Sequence, residues 1–235
     1  IIIHMIFKKK LIPVKFEKRY KRFFADVKKN SKILIAHCPN SGSMLGLLKK
    51  GNKSWISKSD NIKRKLKYTL EIINDGKSNV GVNTLIANKI IEEALLKGKI
   101  IEFKKICKLK REVVYSNDTR FDFELKINNR KVFLEVKNVT LSREQGIAEF
   151  PDSITSRGLK HIKKLGLSMK HGYDPVVIFL IQREDCNFFK IAKDIDHKYY
   201  EAYNKNKKKG VKFIAYSCKV NSKKIEVEKK IKIIN

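Results

Sequence analysis

The segment 175–182, with the sequence PVVIFLIQ, constrains the fold more than any other part of this chain. Nearly every residue of the segment is apolar, so a strand formed by it must be covered on both faces. Strands of that kind lie in the middle of sheets that carry helices on both sides. Hydrophobic residues make up 42% of the 235 residues, which is enough to form the core that such a sheet needs.

The sequence around this segment predicts helices and strands in the order α-β-β-β-α-β-α-β. The predicted helices cover 83–97, the stretch from Asp152 or Ser153 to Met169, and 196–208. The predicted strands cover 108–116, 120–127, 131–139, 175–182 and 211–217. This order predicts an α/β (α+β) domain in which a mixed sheet is flanked by helices.

The segments before residue 74 are shorter and predict a different architecture. Apolar runs at 32–38, 55–57 and 65–73 indicate strands, and PNSGS at 39–43 indicates a turn. Several short strands in so few residues predict a small β barrel or sandwich, and an OB-like barrel of five strands is one such form. The polar stretch 74–79 contains a glycine and is the predicted boundary, which gives domains 1–76 and 77–235.

The net charge of +30, from 54 Lys and Arg against 24 Asp and Glu, indicates a polyanionic partner. We expect nucleic acid and no membrane partner, because the chain has no long basic amphipathic helix with an aromatic apolar face. The alternative explanation is a lysine-rich coding bias. It would give a nonspecific polyanion binder whose affinity falls steeply with salt.

The chain contains no run of about eighteen apolar residues, so we expect no transmembrane helix. Segment 1–10 is apolar first and basic afterwards, which is the reverse of a secretory signal and predicts a cytoplasmic protein. The four cysteines form no C-x-x-C pair, which excludes zinc-ribbon spacing.

Two acids and a lysine on neighbouring predicted strands form the clearest catalytic pattern. Asp122 lies on the polar face of its strand, and Glu135 and Lys137 share one face of the next strand. The turn predicted at 128–129 pairs these strands as a hairpin and brings Asp122 close to Glu135. Two carboxylates suit Mg²⁺ or Mn²⁺, and a neighbouring lysine can orient or deprotonate water in phosphodiester hydrolysis. The alternative is a solvated hairpin face with a Glu–Lys pair.

The position of these three residues in the predicted order of elements resembles the PD-(D/E)XK nuclease superfamily. In that superfamily the metal-binding acids and the lysine lie on the second and third strands of α-β-β-β-α-β. The usual Pro-Asp pair is replaced here by Phe121-Asp122. A third acid often comes from the first helix of that core, where Glu92 and Glu93 flank the apolar face. Glu93 is the preferred candidate, and a solvated helix rim is the alternative for either residue.

The helix predicted after the third strand adds two further candidates. Arg157 and His161 are four residues apart and share one helical face. Arg157 and the start of the helix suit a phosphate, and His161 is a candidate for contact with the substrate or a proton. Asp152 as a helix cap and His161 as a buried polar contact are the alternatives.

Longer strings resemble one family over almost the whole chain. They include HCPNSGSM at 37–44, EVKNVTL at 135–141 and FPDSITSRGLKH at 150–161. These strings are similar to those of the sugar fermentation stimulation protein family, SfsA. The resemblance implies an OB-like domain, a PD-(D/E)XK-like domain and DNA binding. It also implies that Asp122, Glu135 and Lys137 occupy the nuclease-type positions.

The first half of the chain supplies candidate contacts to DNA. The small polar groups of Asn40, Ser41 and Ser43 suit a phosphate or an exposed base. The candidates for contact with the DNA backbone are Arg19, Arg22, Arg64 and Lys65. The aromatic candidates, which either stack on bases or pack in the core, are Tyr20, Phe23 and Trp55.

Together these patterns predict a DNA-binding protein with an intact nuclease-like site and Mg²⁺- or Mn²⁺-dependent phosphodiester hydrolysis. The alternative is a non-catalytic DNA-binding regulator of sugar (maltose-type) metabolism genes on a nuclease-derived scaffold, because the family name describes a phenotype. A homodimer is a further hypothesis, since nucleases that cut two strands are often isologous dimers. No segment of the sequence indicates the interface.

Overall fold

Short strands separated by tight turns form a closed barrel in the first part of the chain. The computed structural model describes residues 6–234, so residues 1–5 of the opening segment lie outside it. The strands of the barrel sheet are β1 (Ile12–Tyr20), β2 (Phe24–Lys29), β3 (Lys32–His37), β4 (Lys53–Lys58), β5 (Tyr68–Asn74) and β6 (Asn79–Gly81). Their order is β3-β2-β1-β4-β5-β6, and a parallel pairing of β3 with β5 closes five of them into a barrel. The predicted OB-like barrel is confirmed.

Alternation along the barrel strands explains the closure. Val14 and Phe16 of β1 and Ala25 and Val27 of β2 are buried, whereas the residues between them are more exposed. Because side chains of a strand alternate between its faces, these residues fill the barrel and the lysines remain outside. Loop residue Met44 also belongs to this core, so the loop after β3 is anchored to the barrel.

The stretch 74–79, predicted as the domain boundary, forms the turn between β5 and β6. Gly76 adopts φ +93°, and the Asp75 carboxylate accepts hydrogen bonds from the Lys77 and Ser78 amides. Strand β6 pairs with β5 and therefore stays in the barrel sheet. On this pairing we propose that the boundary lies beside Val82, a few residues later than the sequence indicates.

The second part of the chain forms a mixed sheet with helices on both faces, as predicted. A short 3₁₀ turn (Thr84–Ile86) leads into α1 (Ala87–Leu96), and the other helices are α2 (Ser156–Leu167) and α3 (His197–Lys209). The strands are β7 (Ile106–Ser116), β8 (Thr119–Ile127), β9 (Arg130–Val139), β10 (Ile147–Phe150), β11 (Tyr173–Ile181), β12 (Phe188–Ile191), β13 (Lys212–Val220) and β14 (Ile225–Ile233). Their order in the sheet is β10-β12-β14-β13-β11-β9-β8-β7.

Strand β11 contains residues 175–181 of the apolar run and explains their composition. It pairs in parallel with β9 on one side and β13 on the other. Val176, Ile178 and Leu180 belong to the core that contains α1. The intervening residues, such as Val177 and Phe179, belong to the core beneath α2 and α3. Both faces of the strand are covered, so neither set of positions can be polar.

Two details of this domain differ from the sequence-based expectations. Strands β10, β12 and β14 were not predicted, and the first two are too short to show a period. Helix α2 begins at Ser156 with Thr155 as its cap, because the Thr155 hydroxyl accepts from the Gly158 amide. The prediction of a start at Asp152 or Ser153 was wrong, and the Asp152 carboxylate instead accepts from the Met44 amide of the barrel loop.

Of the helices within residues 6–234, none combines the length and apolarity that a bilayer-spanning helix requires.

Candidate active site

A cavity of about 500 Å³ lies where the barrel meets the second domain. Its walls come from the loop after β3, the start of α1, strands β7–β9 and the segment that leads into α2. Asp122, Glu135, Lys137 and His161 all line it. The structure therefore brings together four of the five residues that the sequence indicated as catalytic.

Strand register places Asp122 beside Glu135. Phe123 pairs with Leu134 in the antiparallel β8–β9 ladder, so Asp122 lies opposite Glu135 on the same face of the sheet. The Asp122 carboxylate accepts from the Val136 amide at 2.7 Å and from the Asn88 side-chain amide at 2.8 Å. Burial and then the neighbouring Glu135 charge raise the pKa of Asp122 to about 6, more than these hydrogen bonds lower it.

Glu135 is more deeply buried than Asp122 and is held by two cationic or protonatable groups. Its Oε1 accepts from Lys137 Nζ at 2.7 Å and contacts His161 Nδ1. Burial alone would raise the pKa of Glu135, but Lys137 and His161 outweigh it and the pKa is lowered. Its other oxygen, Oε2, is buried and has no hydrogen-bond partner among the described residues. One carboxylate oxygen therefore remains available to a ligand.

Helix α1 contributes Asn88 to the cavity, and neither Glu92 nor Glu93. Glu93 forms an ion pair with Lys97 on its own helix, and Glu92 pairs with Arg111 of β7 at 3.1 Å. Glu93 lies five positions after Asn88, and at about 100° per position this turns the Glu93 side chain well away from Asp122. The expectation that Glu93 supplies a third acid is therefore not met by its position.

Glu112 is an acid at the cavity that the sequence-based reasoning missed. Arg111 pairs with Phe123 and Val113 with Phe121, which places Glu112 opposite Asp122 on the side away from Glu135. Glu112 adopts φ +52°, and its carboxylate pairs with Arg120 at 2.8 Å. Only the strand register reveals this neighbour, because Glu112 shows no distinctive spacing from Asp122 in the sequence.

The first turns of α2 face the cavity as expected. Arg157 and His161 both line it, one helical turn apart. His161 is buried and contacts Glu135, so it lies beside one of the two candidate metal-binding acids. Arg157 is exposed and forms no ion pair within the described part of the chain.

The loop after β3 forms the barrel side of the cavity. The Asn40 side chain donates to the Val82 carbonyl at 3.2 Å and accepts from the Gly42 amide at 2.9 Å, so it stabilises the loop. The Ser43 hydroxyl donates to the Asp152 carbonyl and links the loop to the segment before α2. Ser41 is exposed and lines the cavity. Of the three residues, Ser41 thus has the freest side chain.

The residues predicted to contact the DNA backbone fall into three groups. Arg19 donates to the carbonyls of Arg22, Gly42, Ser43 and Asn40, so its guanidinium holds the β1–β2 hairpin against the cavity loop. This position gives Arg19 a structural contact where a DNA contact was expected. Arg64 contacts His37 at 3.2 Å on the barrel, and neither it nor Lys65 lines the cavity. Arg22 is exposed at the hairpin tip.

The raised pKa of Asp122 predicts a pH-dependent gain of stability in Asp122→Asn. Because the folded-state pKa of about 6 exceeds the usual 3.8, wild-type stability falls as the pH rises from about 4 to 6. In EDTA, the variant is expected to be about 1–3 kcal/mol more stable than wild type at pH 8, with this advantage absent at pH 4. Urea unfolding at both pH values measures the difference.

A matched control for this prediction is Asp118→Asn. Asp118 is exposed, and hydrogen bonds from Ser116 and Lys164 lower its pKa to about 2. Asp118→Asn should therefore change the free energy of unfolding in the opposite direction. Any destabilisation should be largest at neutral pH and absent in strong acid. Equal stabilisation of Asp122→Asn at pH 4 and pH 8 would contradict the raised pKa of the buried Asp122 carboxylate.

Comparison with known proteins gives the family. The model of the "Sugar fermentation stimulation protein RE domain" matches residues 85–224, and that of the "SfsA N-terminal OB domain" matches residues 18–82. The chain belongs to the SfsA family. The N-terminal match ends at residue 82, and the second match begins at residue 85.

Relatives in the SfsA family match the chain along nearly its whole length. A sugar fermentation stimulation protein homolog of Pelagibacter ubique is 55% identical over 231 residues, covering 98% of this chain and 100% of the relative. The homolog of Caulobacter vibrioides is 38% identical over 229 residues, covering 97% and 96%. The SfsA of Pyrococcus furiosus, solved in complex with Ca²⁺, has a TM-score of 0.89 at 24% identity and covers 98% of both chains. This last likeness concerns the fold.

Proposed function

We propose that this SfsA-family protein binds DNA and hydrolyses its phosphodiester bonds with Mg²⁺ or Mn²⁺. The observation that carries the proposal is the arrangement of Asp122, Glu135 and Lys137 on one wall of the cavity. The buried Glu135 Oε2 without a hydrogen-bond partner supports it further. Two neighbouring carboxylates repel each other, and the Glu135 charge accordingly raises the pKa of Asp122. A purely structural Glu–Lys pair would not need this second carboxylate beside it.

The residues of the cavity fit a hydrated divalent cation. Within residues 6–234, no group of three or more His, Cys, Asp or Glu side chains is arranged to hold a metal ion. Asp122 and Glu135 would therefore be the protein ligands, which suits Mg²⁺ because it is commonly bound by one or two carboxylates and retains several waters. The Pyrococcus furiosus SfsA was solved with Ca²⁺, another cation that prefers oxygen ligands.

Each neighbouring side chain has a role in this proposal. When bound, the cation would supply Lewis-acid chemistry that activates a water molecule and offsets the charge of the phosphate. Asn88 and the Val136 amide orient the Asp122 carboxylate. Lys137 lies at the cavity, where its ammonium orients the attacking water or stabilises the charge that develops on the phosphate. Arg157 binds a phosphate beside the cleavage position.

The second candidate function is a DNA-binding regulator of sugar-metabolism genes without catalysis. The net charge of +30 favours it, because charge alone supports binding to DNA and requires no metal site. The two functions differ in their dependence on divalent cations. A regulator binds DNA equally well in EDTA and leaves it intact.

Labelled single-stranded, duplex and branched DNA test the proposal. Each substrate is incubated with the purified protein in EDTA, Mg²⁺ or Mn²⁺ and analysed on denaturing and native gels. We expect cuts that require a divalent cation and disappear in Asp122→Ala, while the band shift on native gels remains. DNA that is shifted and uncut under every condition would refute hydrolysis and leave the regulator.

A further inference from the structure

A groove of about 880 Å³ runs from the β1–β2 hairpin to the candidate active site. We call it the hairpin groove, and it is lined by residues 19–22, residues 41–43, Leu48 and residues 153–157. The groove and the cavity adjoin, because they share the lining residues Ser41, Gly42, Ser153, Thr155 and Arg157. A chain molecule lying in the groove therefore ends beside the cavity that Asp122 and Glu135 line.

The charge of the hairpin groove is of one sign. None of the residues that line it within the described part of the chain is acidic. Lys21, Arg22 and Arg157 are exposed, and no ion pair in residues 6–234 engages their side chains. Concave surfaces with unpaired cations attract phosphates, whose negative charges repeat along a nucleic-acid strand.

The hairpin tip keeps its cations at a conformational cost. Lys21 and Arg22 adopt φ +45° and +61°, the left-handed region in which turns usually carry glycine or asparagine. Arg19 fixes this tip by donating to the Arg22 carbonyl. The turn therefore holds two unpaired cations in a fixed position next to the groove.

Apolar side chains are exposed among these cations. Ile154 is 79% exposed and Leu48 is 37% exposed, and Tyr20 lines the same groove. In duplex DNA the faces of the bases are stacked inside the helix, so its outer surface offers phosphates but few apolar groups. An unpaired strand offers both, because its bases are free to lie against apolar and aromatic side chains.

We propose that the hairpin groove binds an unpaired DNA strand and delivers it to the cavity. This inference rests on the proposed function for its choice of DNA, and it specifies the form of the substrate. The phosphates of the strand contact Lys21, Arg22 and Arg157, and its bases lie against Ile154, Leu48 and Tyr20. A duplex that reaches the cavity must first open locally or present an unpaired end.

Binding in EDTA tests this inference independently of cleavage. Fluorescence anisotropy compares one labelled oligonucleotide as a single strand and as a blunt duplex. We expect tighter binding of the single strand. The double variant Lys21→Gln, Arg22→Gln should weaken that binding about tenfold and reduce the slope of log affinity against log salt by about 1.4, the effect of two lost phosphate contacts.

Matched variants exclude a general loss of charge or of apolar surface. Lys28→Gln with Lys29→Gln removes two exposed lysines from the other end of β2, and it should change single-strand affinity less than threefold. Ile154→Ala should weaken single-strand binding about threefold or more, whereas Ile62→Ala, at a side chain that is 91% exposed outside the groove, should not. If a groove variant and its control weaken single-strand binding equally, the hairpin groove is not the binding site.

The outcomes separate this inference from the proposed function. If the protein prefers the single strand in EDTA but makes no metal-dependent cut, the proposed hydrolysis is refuted. The inference that the hairpin groove binds an unpaired strand then stands. If the protein cuts DNA with a divalent cation but binds the blunt duplex as tightly as the single strand or more tightly, the proposed hydrolysis stands. The inference that the groove binds an unpaired strand is then refuted.

Discussion

Lys137→Met is expected to lower the rate of metal-dependent DNA cleavage by about 10²–10⁴-fold while DNA affinity changes less than twofold. Positioned general acids and bases typically contribute this factor, and single electrostatic contacts to a developing charge contribute about 10²–10³. Lys137 lies at the cavity wall and is only partly exposed. In the proposed reaction its ammonium would act on the reacting groups and would add little to the long-range attraction of DNA. Single-turnover cleavage and anisotropy in EDTA measure the two quantities.

The same substitution should move the pH dependence of the residual activity. Lys137 is the strongest influence that lowers the pKa of Glu135 against the effect of burial. Without that ammonium, burial dominates and the pKa of Glu135 rises, although His161 still contacts the carboxylate. The protonated form of Glu135 then persists to higher pH, so the acid limb of the rate profile shifts toward alkaline pH.

Lys131→Met provides the control on the same strand. Lys131 is exposed and does not line the cavity. Its loss should leave both the rate and the pH profile unchanged. A Lys137→Met protein that cleaves at more than a third of the wild-type rate with an unshifted profile would remove Lys137 from the proposed chemistry.

Local periodicity explains why the framework of the site was predictable. The alternation of Phe121, Phe123 and Leu125 with polar residues locates β8, and the apolar run 175–182 locates the central strand. The turn at 128–129 then determines which residue of β9 faces Asp122, because register follows from a short connection. These features depend on neighbours in sequence, which a single sequence records.

Contacts between distant segments explain what the sequence did not reveal. Arg19 looks like a DNA contact until the loop 40–43 is folded against it, and its carbonyl partners leave no trace in the spacing of residues. Asn88 and Glu112 reach Asp122 from a helix and a strand whose relative placement depends on the packed core. Asp152 resembles a helix cap, but a barrel amide 108 positions earlier engages its carboxylate.

Arg183 shows the same limit at the interface between the domains. The segment RED at 183–185 gives no sign of burial, yet Arg183 is 1% exposed. Its guanidinium donates to the Thr140 carbonyl at 3.0 Å, to Asp185 at 2.6 Å and to Asp75 in the β5–β6 turn at 2.9 Å. One buried cation thus joins the barrel to the mixed sheet.

Arg183→Met is expected to lower the free energy of unfolding by about 3–5 kcal/mol, since it leaves the carboxylates of Asp75 and Asp185 without their buried partner. Arg143→Met is the matched control. Arg143 also joins two acids, Glu149 and Asp194, but its side chain is 35% exposed against 2% for Arg183, and Lys190 remains beside Glu149. Urea unfolding should show a clearly smaller loss for Arg143→Met. Equal losses would mean that burial of the cation does not determine the strength of the domain contact.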